Sequence, residues 1–122
     1  MSGKTLFVCY PRYTTCKKAR KWLDGNGIAY DERPIHEDNP TIEELRAWKE
    51  ASGLPIRRLF NTSGMRYREL KVNDRLDAGM TDEEALELLS SDGMLVKRPV
   101  LVTDGFVSFG FREAEWKEAL GV

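Results

Sequence analysis

Apolar and polar positions along the 122-residue chain change period several times, and each change predicts an element. Thr5-Leu-Phe-Val-Cys9 is a short unbroken apolar run closed by Tyr10-Pro11, the pattern of a buried first strand. The period then lengthens. Ala19, Trp22 and Leu23 fall at i, i+3 and i+4 on one helical face, with Thr14 or Thr15 as cap and Gly25-Asn26-Gly27 as stop. Ile28 to Ile35 is a second extended segment, with Pro34 near its end. Thr41-Ile-Glu-Glu44 has the form of a capping box and opens a helix whose stripe is Ile42, Leu45 and Trp48, closed by Gly53. A short helix over Leu54 to Phe60 leads into the turn-rich Asn61-Thr-Ser-Gly64. A second capping box, Thr81-Asp-Glu-Glu84, predicts a helix that buries Leu86, Leu88 and Leu89 and ends at Gly93. Val100–Thr103 and Phe106–Phe109 read as strands joined by Asp104-Gly105, a strong hairpin signal, before a last helix over Glu113–Leu120 that presents Ala114, Trp116, Ala119 and Leu120.

The order is β-α-β, a helical middle over about residues 40–95, then β-β-α. Two strands joined by a helical crossover are most simply parallel. No repeat, linker or low-complexity stretch divides the chain, so one domain over 1–122 is expected. The order matches an α/β architecture of thioredoxin type: a mixed four-stranded sheet, with the helical segment inserted between its halves. In such a fold, thiol chemistry sits in the turn after the first strand. The free N–H groups and positive dipole end of the following helix stabilise a thiolate there.

Composition narrows the function classes. Hydrophobic residues make up 41% and charged residues 32%, with a net charge of −1, which argues against direct nucleic-acid binding. Local basic clusters, at Lys17, Lys18, Arg20 and Lys21 and at Arg57 and Arg58, read as solvated helix faces. No window approaches a membrane span, and Met-Ser-Gly-Lys-Thr-Leu lacks the apolar core of a signal peptide. Two cysteines do not make a disulfide scaffold, so a cytoplasmic protein with reduced thiols is the simplest expectation.

Those cysteines bracket the first turn in CYPRYTTCKKARKW, at a C-x6-C spacing too wide for a C-x-x-C redox motif. Cys16 falls in the first helical turn near Lys17, Lys18 and Arg20. Dipole and cations there lower a thiol below its free value of about 8.5, unless the residue is only a small apolar group packed on the sheet. Cys9 ends the first strand, where burial is the commoner fate, yet six residues across a turn can bring it to Cys16. Lys97-Arg98-Pro99 precedes the third strand, and a cis proline there would hold Arg98 beside the active turn. Asn61-Thr62-Ser63-Gly64 offers hydroxyls and N–H groups to an anion, although turn chemistry alone also accounts for it. His36, the only histidine, lies in a polar loop with no ligand pattern around it, so neither a metal site nor a Cys-His dyad is expected.

At this level of detail the chain resembles the arsenate reductase and Spx (ArsC/Spx) family almost end to end. The residues that carry the likeness are Tyr10-Pro-x-x-x-Thr-Cys-Lys-Lys-Ala19, Leu54-Pro with Phe60-Asn-Thr-Ser-Gly64, Tyr67-Arg-Glu-Leu70, Ser91-Asp-Gly-Met-Leu-Val-Lys-Arg-Pro99, and Gly110-Phe with Trp116. The resemblance implies a thioredoxin-like, glutaredoxin-like fold with a helical insertion. Reductases of this type use a first-turn cysteine as nucleophile on arsenate, arginines to hold the oxyanion, and glutathione with glutaredoxin as reductant. Spx-type members instead bind the RNA polymerase α-subunit and use a C-x-x-C as redox switch.

This chain departs from both patterns. Tyr13 occupies the usual nucleophile position, so only the second cysteine position, Cys16, is kept. A phenol with a pKa near 10 is a poor substitute for the thiol. Of the clamping arginines, Arg98 is in place, while Asn61 and Phe111 stand where the others are expected. Each lost charged clamp removes about 1.5–3 kcal/mol. The resemblance therefore implies a thiol–disulfide oxidoreductase-like protein related to arsenate reductases, with Cys16 and Arg98 catalytic and Cys9 as possible resolving thiol. Tyr13, Thr14, Thr15, Asn61, Thr62, Ser63 and Pro99 would line the anion site. No bound cofactor is expected; glutathione, glutaredoxin or thioredoxin would be the reductant. The other implied reading is a non-catalytic regulator that binds RNA polymerase.

Overall fold

The computed structural model describes residues 5–122; most of the Met1-to-Leu6 stretch weighed as a leader lies outside them. Its sheet runs β2-β1-β3-β4, with β1 Leu6–Cys9, β2 Asp31–Pro34, β3 Val100–Thr103 and β4 Phe106–Phe109. β1 pairs parallel with β2 (Val8 opposite Arg33) and antiparallel with β3 (Val8 opposite Val100), and β3 pairs antiparallel with β4. This is the mixed, thioredoxin-like sheet that the order of elements predicts.

The alternation along β1 splits the core in two. Phe7 and Cys9 face a cluster with Cys16, Ala19, Leu23, Leu101 and Trp116, built on helices α1 (Thr14–Gly25) and α6 (Glu113–Leu120). Val8 points the other way, into the cluster of Leu45, Trp48, Leu59, Phe60, Leu86, Leu89 and Leu95 supplied by the helical middle. A strand covered on both faces needs an unbroken apolar run, which is what β1 has. β2 is an edge strand of sequence Asp-Glu-Arg-Pro, so its polar character and terminal proline cost no ladder bond. The extended segment expected from Ile28 is thus regular only over these four residues.

Both capping boxes form. Glu44 N–H donates to Thr41 Oγ1 at 3.1 Å and Thr41 N–H to Glu44 Oε1 at 2.9 Å, starting α2 (Ile42–Ser52), and Thr81 with Glu84 does the same for α5 (Asp82–Ser91). Gly53 closes α2 at φ 69°, a left-handed cap. The helix expected over 54–60 is a single 3-10 turn, Ile56–Leu59. Two short helices without a sequence signal follow it, α3 (Met65–Glu69) and α4 (Val72–Asp77). Each is too brief to show a periodic stripe.

Three further expectations are corrected. Tyr13, not Thr14 or Thr15, is the N-cap of α1 and makes no side-chain capping bond; both threonines lie within the helix. α5 ends at Ser91, leaving Leu88 half-buried, because Gly93 serves a different purpose. A Cβ on Gly93 would sit 2.1 Å from the Ile35 carbonyl oxygen, so only glycine lets the chain pass. On α6, Trp116 is buried but Ala114 and Ala119 are exposed, so its buried face is narrower than the sequence suggests.

Candidate active site: a cysteine pair under a buried arginine

β1 delivers Cys9, a tight turn closed by Tyr13 N–H to Tyr10 O at 2.9 Å reverses the chain, and α1 delivers Cys16 on its buried side. Both thiols are free and fully buried. The Tyr10 N–H donates to Cys16 Sγ at 3.4 Å. One turn further along α1, Arg20 brings Nη2 to 3.8 Å from Cys9 Sγ while holding Glu32 of β2 through two hydrogen bonds of 2.9 and 2.7 Å.

The two sulfurs differ in acidity. Cys16 is lowered from the ordinary thiol range, first by the hydrogen bond from Cys9, then by the Tyr10 N–H and the charges of Arg98 and Arg20; burial opposes them. Cys9 is raised, first because its thiol is hydrogen-bonded to Cys16, then by burial and by nearby Glu32. The pair is therefore poised with the proton on Cys9 and the thiolate character on Cys16.

Arg98 completes the arrangement. It is buried, at 7% exposure, and Nη1 donates to the carbonyls of Met94 at 3.0 Å and Val96 at 3.3 Å. Its guanidinium carbon lies 4.8 Å from the centroid of the Tyr13 ring and 5.5 Å from that of Tyr10. Nε has no hydrogen-bond partner, and among the described residues no carboxylate stands within ion-pair distance of it. Burial pushes the guanidinium below its usual range, with Cys16 the largest opposing influence. A desolvated cation faced by aromatic rings and a thiol is suited to an incoming anion. The Arg98–Pro99 bond is cis, and Pro99 O accepts the Gly110 N–H at 2.8 Å.

The other predicted site residues are distributed less compactly. The segment carrying Asn61 pairs with the one leading to Arg98, through the Phe60–Val96 bridge and Asn61 N–H to Leu95 O at 2.8 Å. Asn61 is buried, and its Oδ1 accepts the Ser63 hydroxyl at 3.3 Å, a local turn contact. Thr62, Ser63 and Thr14 are exposed and Thr15 half-buried; none of these hydroxyls hydrogen-bonds Cys16 or Arg98. Phe111 meets Trp116 edge-on at 4.8 Å and packs against the cluster that holds both cysteines.

Sequence reasoning missed Tyr10, and it placed Arg20 near Cys16 without foreseeing its contacts with Cys9 and Glu32. Tyr10 acts through its backbone N–H, which no residue type reveals, and its ring also meets His36 at 5.0 Å. Arg20 reads both as part of a solvated basic face and as a cation near Cys16, and its i+4 spacing from Cys16 was the signal that it returns to the same side. No group of three potential metal ligands occurs among the described residues, and no described helix is long and apolar enough to cross a membrane.

Known proteins place this geometry in context. The chain is 50% identical to the Bacillus subtilis protein YusI over 92% of its own length and 94% of that protein's. It is 30% identical to the Bacillus subtilis regulatory protein MgsR, over 94% of this chain and 89% of MgsR. A crystal structure from Bacteroides fragilis, of a protein described as ArsC family related, superposes with a TM-score of 0.91 at 53% identity, covering 94% of this chain and 96% of that one. The ArsC family profile matches residues 9–119, and the chain belongs to that family.

Proposed function

We propose that this protein is a thiol–disulfide oxidoreductase-like relative of the arsenate reductases, with Cys16 as the reactive thiol and Cys9 as its resolving partner. The observation that carries the reading is the burial of both cysteines in one cluster, with the Tyr10 N–H on Cys16 Sγ at 3.4 Å and Arg20 Nη2 3.8 Å from Cys9 Sγ; in that setting Cys16 is lowered and Cys9 raised. The Cys16 thiolate attacks one sulfur of a partner disulfide, such as glutathione disulfide. That S–S bond breaks and the first partner thiolate leaves, taking a proton. Cys9 then gives up its proton and attacks the Cys16 sulfur, expelling the second partner thiolate. The partner gains two electrons and the cysteine pair becomes a disulfide, which glutathione, glutaredoxin or thioredoxin returns to dithiol.

Arg98 orients the anionic groups of the partner, beside Tyr13, Thr14, Thr15 and Pro99, with Asn61, Thr62 and Ser63 at the edge. Since both sulfurs are buried, the Tyr10–Tyr13 turn moves aside during the exchange. Efficient arsenate reduction is not expected, because Tyr13 stands at the nucleophile's position. Mass spectrometry after mild oxidation with glutathione disulfide tests the reading. It expects a Cys9–Cys16 disulfide together with a Cys16 that ionises below an ordinary thiol; an ordinary titration for Cys16 refutes it. In turnover coupled to glutaredoxin or thioredoxin, a disulfide substrate is expected to be reduced and arsenate to be turned over slowly or not at all.

A second reading is favoured by the burial of both sulfurs, by Tyr13, and by the likeness to a regulatory protein. In it the fold is a non-catalytic regulator docking on the RNA polymerase α-subunit within the cytoplasm. Cys16→Ser separates the two: cellular function survives it in the regulatory reading and is lost in the thiol reading.

A further inference from the structure

Beside β4, three cations converge with a single carboxylate, Glu115, among them. Arg58, at the end of the 3-10 turn, and Arg112, at the start of α6, line a cavity of about 340 Å³ between the carboxyl end of α2 and β4. Lys97 reaches the same wall from the segment before Arg98. Its side chain fills the space that a Cβ on Gly110 would need, with Cε 2.8 Å and Nζ 3.8 Å from that position; Gly110 lies at φ +94° and lines the cavity. Gly110 is required for its left-handed backbone, and the lysine end packs into the space beside it.

The charges there are poorly compensated. Neighbouring Arg57 is paired with Asp77 at 2.9 Å, whereas no carboxylate stands within ion-pair distance of Arg58 or Lys97 among the described residues. Arg112 holds Glu115 only at 3.6 Å on the exposed rim. Lys97 is half-buried, and burial together with Arg58 and Arg112 lowers its pKa, the response of an ammonium that lacks a counter-ion. The remaining wall is mixed: Leu54 and Phe109 are apolar, Ser52 and Ser108 add hydroxyls, and Glu115 places one carboxylate beside Arg112; the volume is in the range of small-molecule sites.

We propose that this cavity binds a small organic anion, its carboxylate or phosphate head held by Lys97, Arg58 and Arg112 and its apolar body against Leu54 and Phe109. The two lining guanidiniums supply the planar, multi-donor contacts that oxyanions take, and Lys97, packed against the Gly110 wall, adds a third positive charge. The site is separate from the one around Cys16: Lys97 and Arg98 are adjacent in sequence but serve different walls, one against Gly110 and the other against Tyr13.

The test is an amide-resolved NMR titration of the full chain with benzoate and, separately, phenyl phosphate; the tighter probe identifies the head group. Shifts centred on Ser52, Arg58, Gly110 and Arg112 are expected, with a Kd of about 1 mM or tighter. Lys97→Met, which keeps the buried stem, weakens binding by about tenfold or more, and Arg58→Gln does so independently. Arg98→Met leaves these shifts in place. The proposal is overturned by shifts confined to the residues around Cys16 and Arg98, by shifts unchanged in both Lys97→Met and Arg58→Gln, or by no response at about 10 mM probe.

Discussion

Gly93→Ala tests how tightly the two halves of the fold are locked behind the cysteine pair. The added methyl would meet the Ile35 carbonyl oxygen at 2.1 Å and Asn39 Oδ1 at 2.7 Å, where an ordinary contact is longer than 3.4 Å. The closer obstacle is backbone at the end of β2, so no rotamer change relieves it, and the chain segments must separate by more than 1 Å. Separation also stretches the 3.1 Å hydrogen bond from Gly93 N–H to Asn39 Oδ1. Overpacking costs about 1–3 kcal/mol and the bond about 1 more, for a loss of roughly 2–4 kcal/mol. A domain of this length unfolds with an entropy of about 0.26 kcal/mol/K, so the midpoint falls by about 8–15 °C. The same strain reaches the site, because Ile35 N–H donates to Cys9 O at 2.8 Å and Met94 O accepts from Arg98. Gly25→Ala is the internal control. Gly25 ends α1 with nothing within 4 Å of an added methyl, so alanine there is neutral or stabilises by up to about 1 kcal/mol. Thermal unfolding followed by circular dichroism reads both. A Gly93→Ala midpoint within about 2 °C of the parent, or a Gly25→Ala loss as large, refutes the packing argument.

The remaining predictions concern charge and polar burial. Cys9→Ala removes the largest influence lowering Cys16, so the Cys16 pKa rises, while Cys9→Ser keeps a donor and raises it less; ultraviolet absorbance of the thiolate across a pH series reads both. Arg33, whose two bonds to Glu44 measure 2.7 and 3.0 Å, holds that carboxyl below the usual range. A depressed carboxyl stabilises the fold above its unfolded pKa and loses that contribution as pH falls through the native value. Arg33→Met therefore costs about 1–2 kcal/mol at neutral pH, with the deficit shrinking below the carboxylate range in urea titrations at several pH values. Trp116→Phe strips the buried Ser108 hydroxyl of its 2.8 Å indole donor and destabilises by about 1–3 kcal/mol by chemical denaturation; Ser108→Ala in the same background restores part of the loss.

Much of the scaffold was legible because local chemistry dictates it. An apolar run flanked by a Tyr-Pro turn makes β1, Thr-x-x-Glu boxes start α2 and α5, and Asp104-Gly105 closes the hairpin, since each signal involves residues only a few positions apart. Short helices α3 and α4 escaped because five or six residues carry no period, and the threonine cap of α1 failed because Tyr13 took the capping position without a side-chain bond.

The sequence alone determined the order of elements and the placement of Cys16 at the start of a helix. Only the tertiary structure decided that the C-x6-C spacing brings Cys9 and Cys16 into one buried cluster, with Cys16 the more acidic thiol, and that Arg98 lies buried against the Tyr10 and Tyr13 rings with an unpartnered Nε. The division has a physical cause. Propensity and capping act over a few residues and are written locally. The acidity of a thiol depends on burial and on charges that arrive from β1, α1 and the segment before β3, and only the folded chain brings those together.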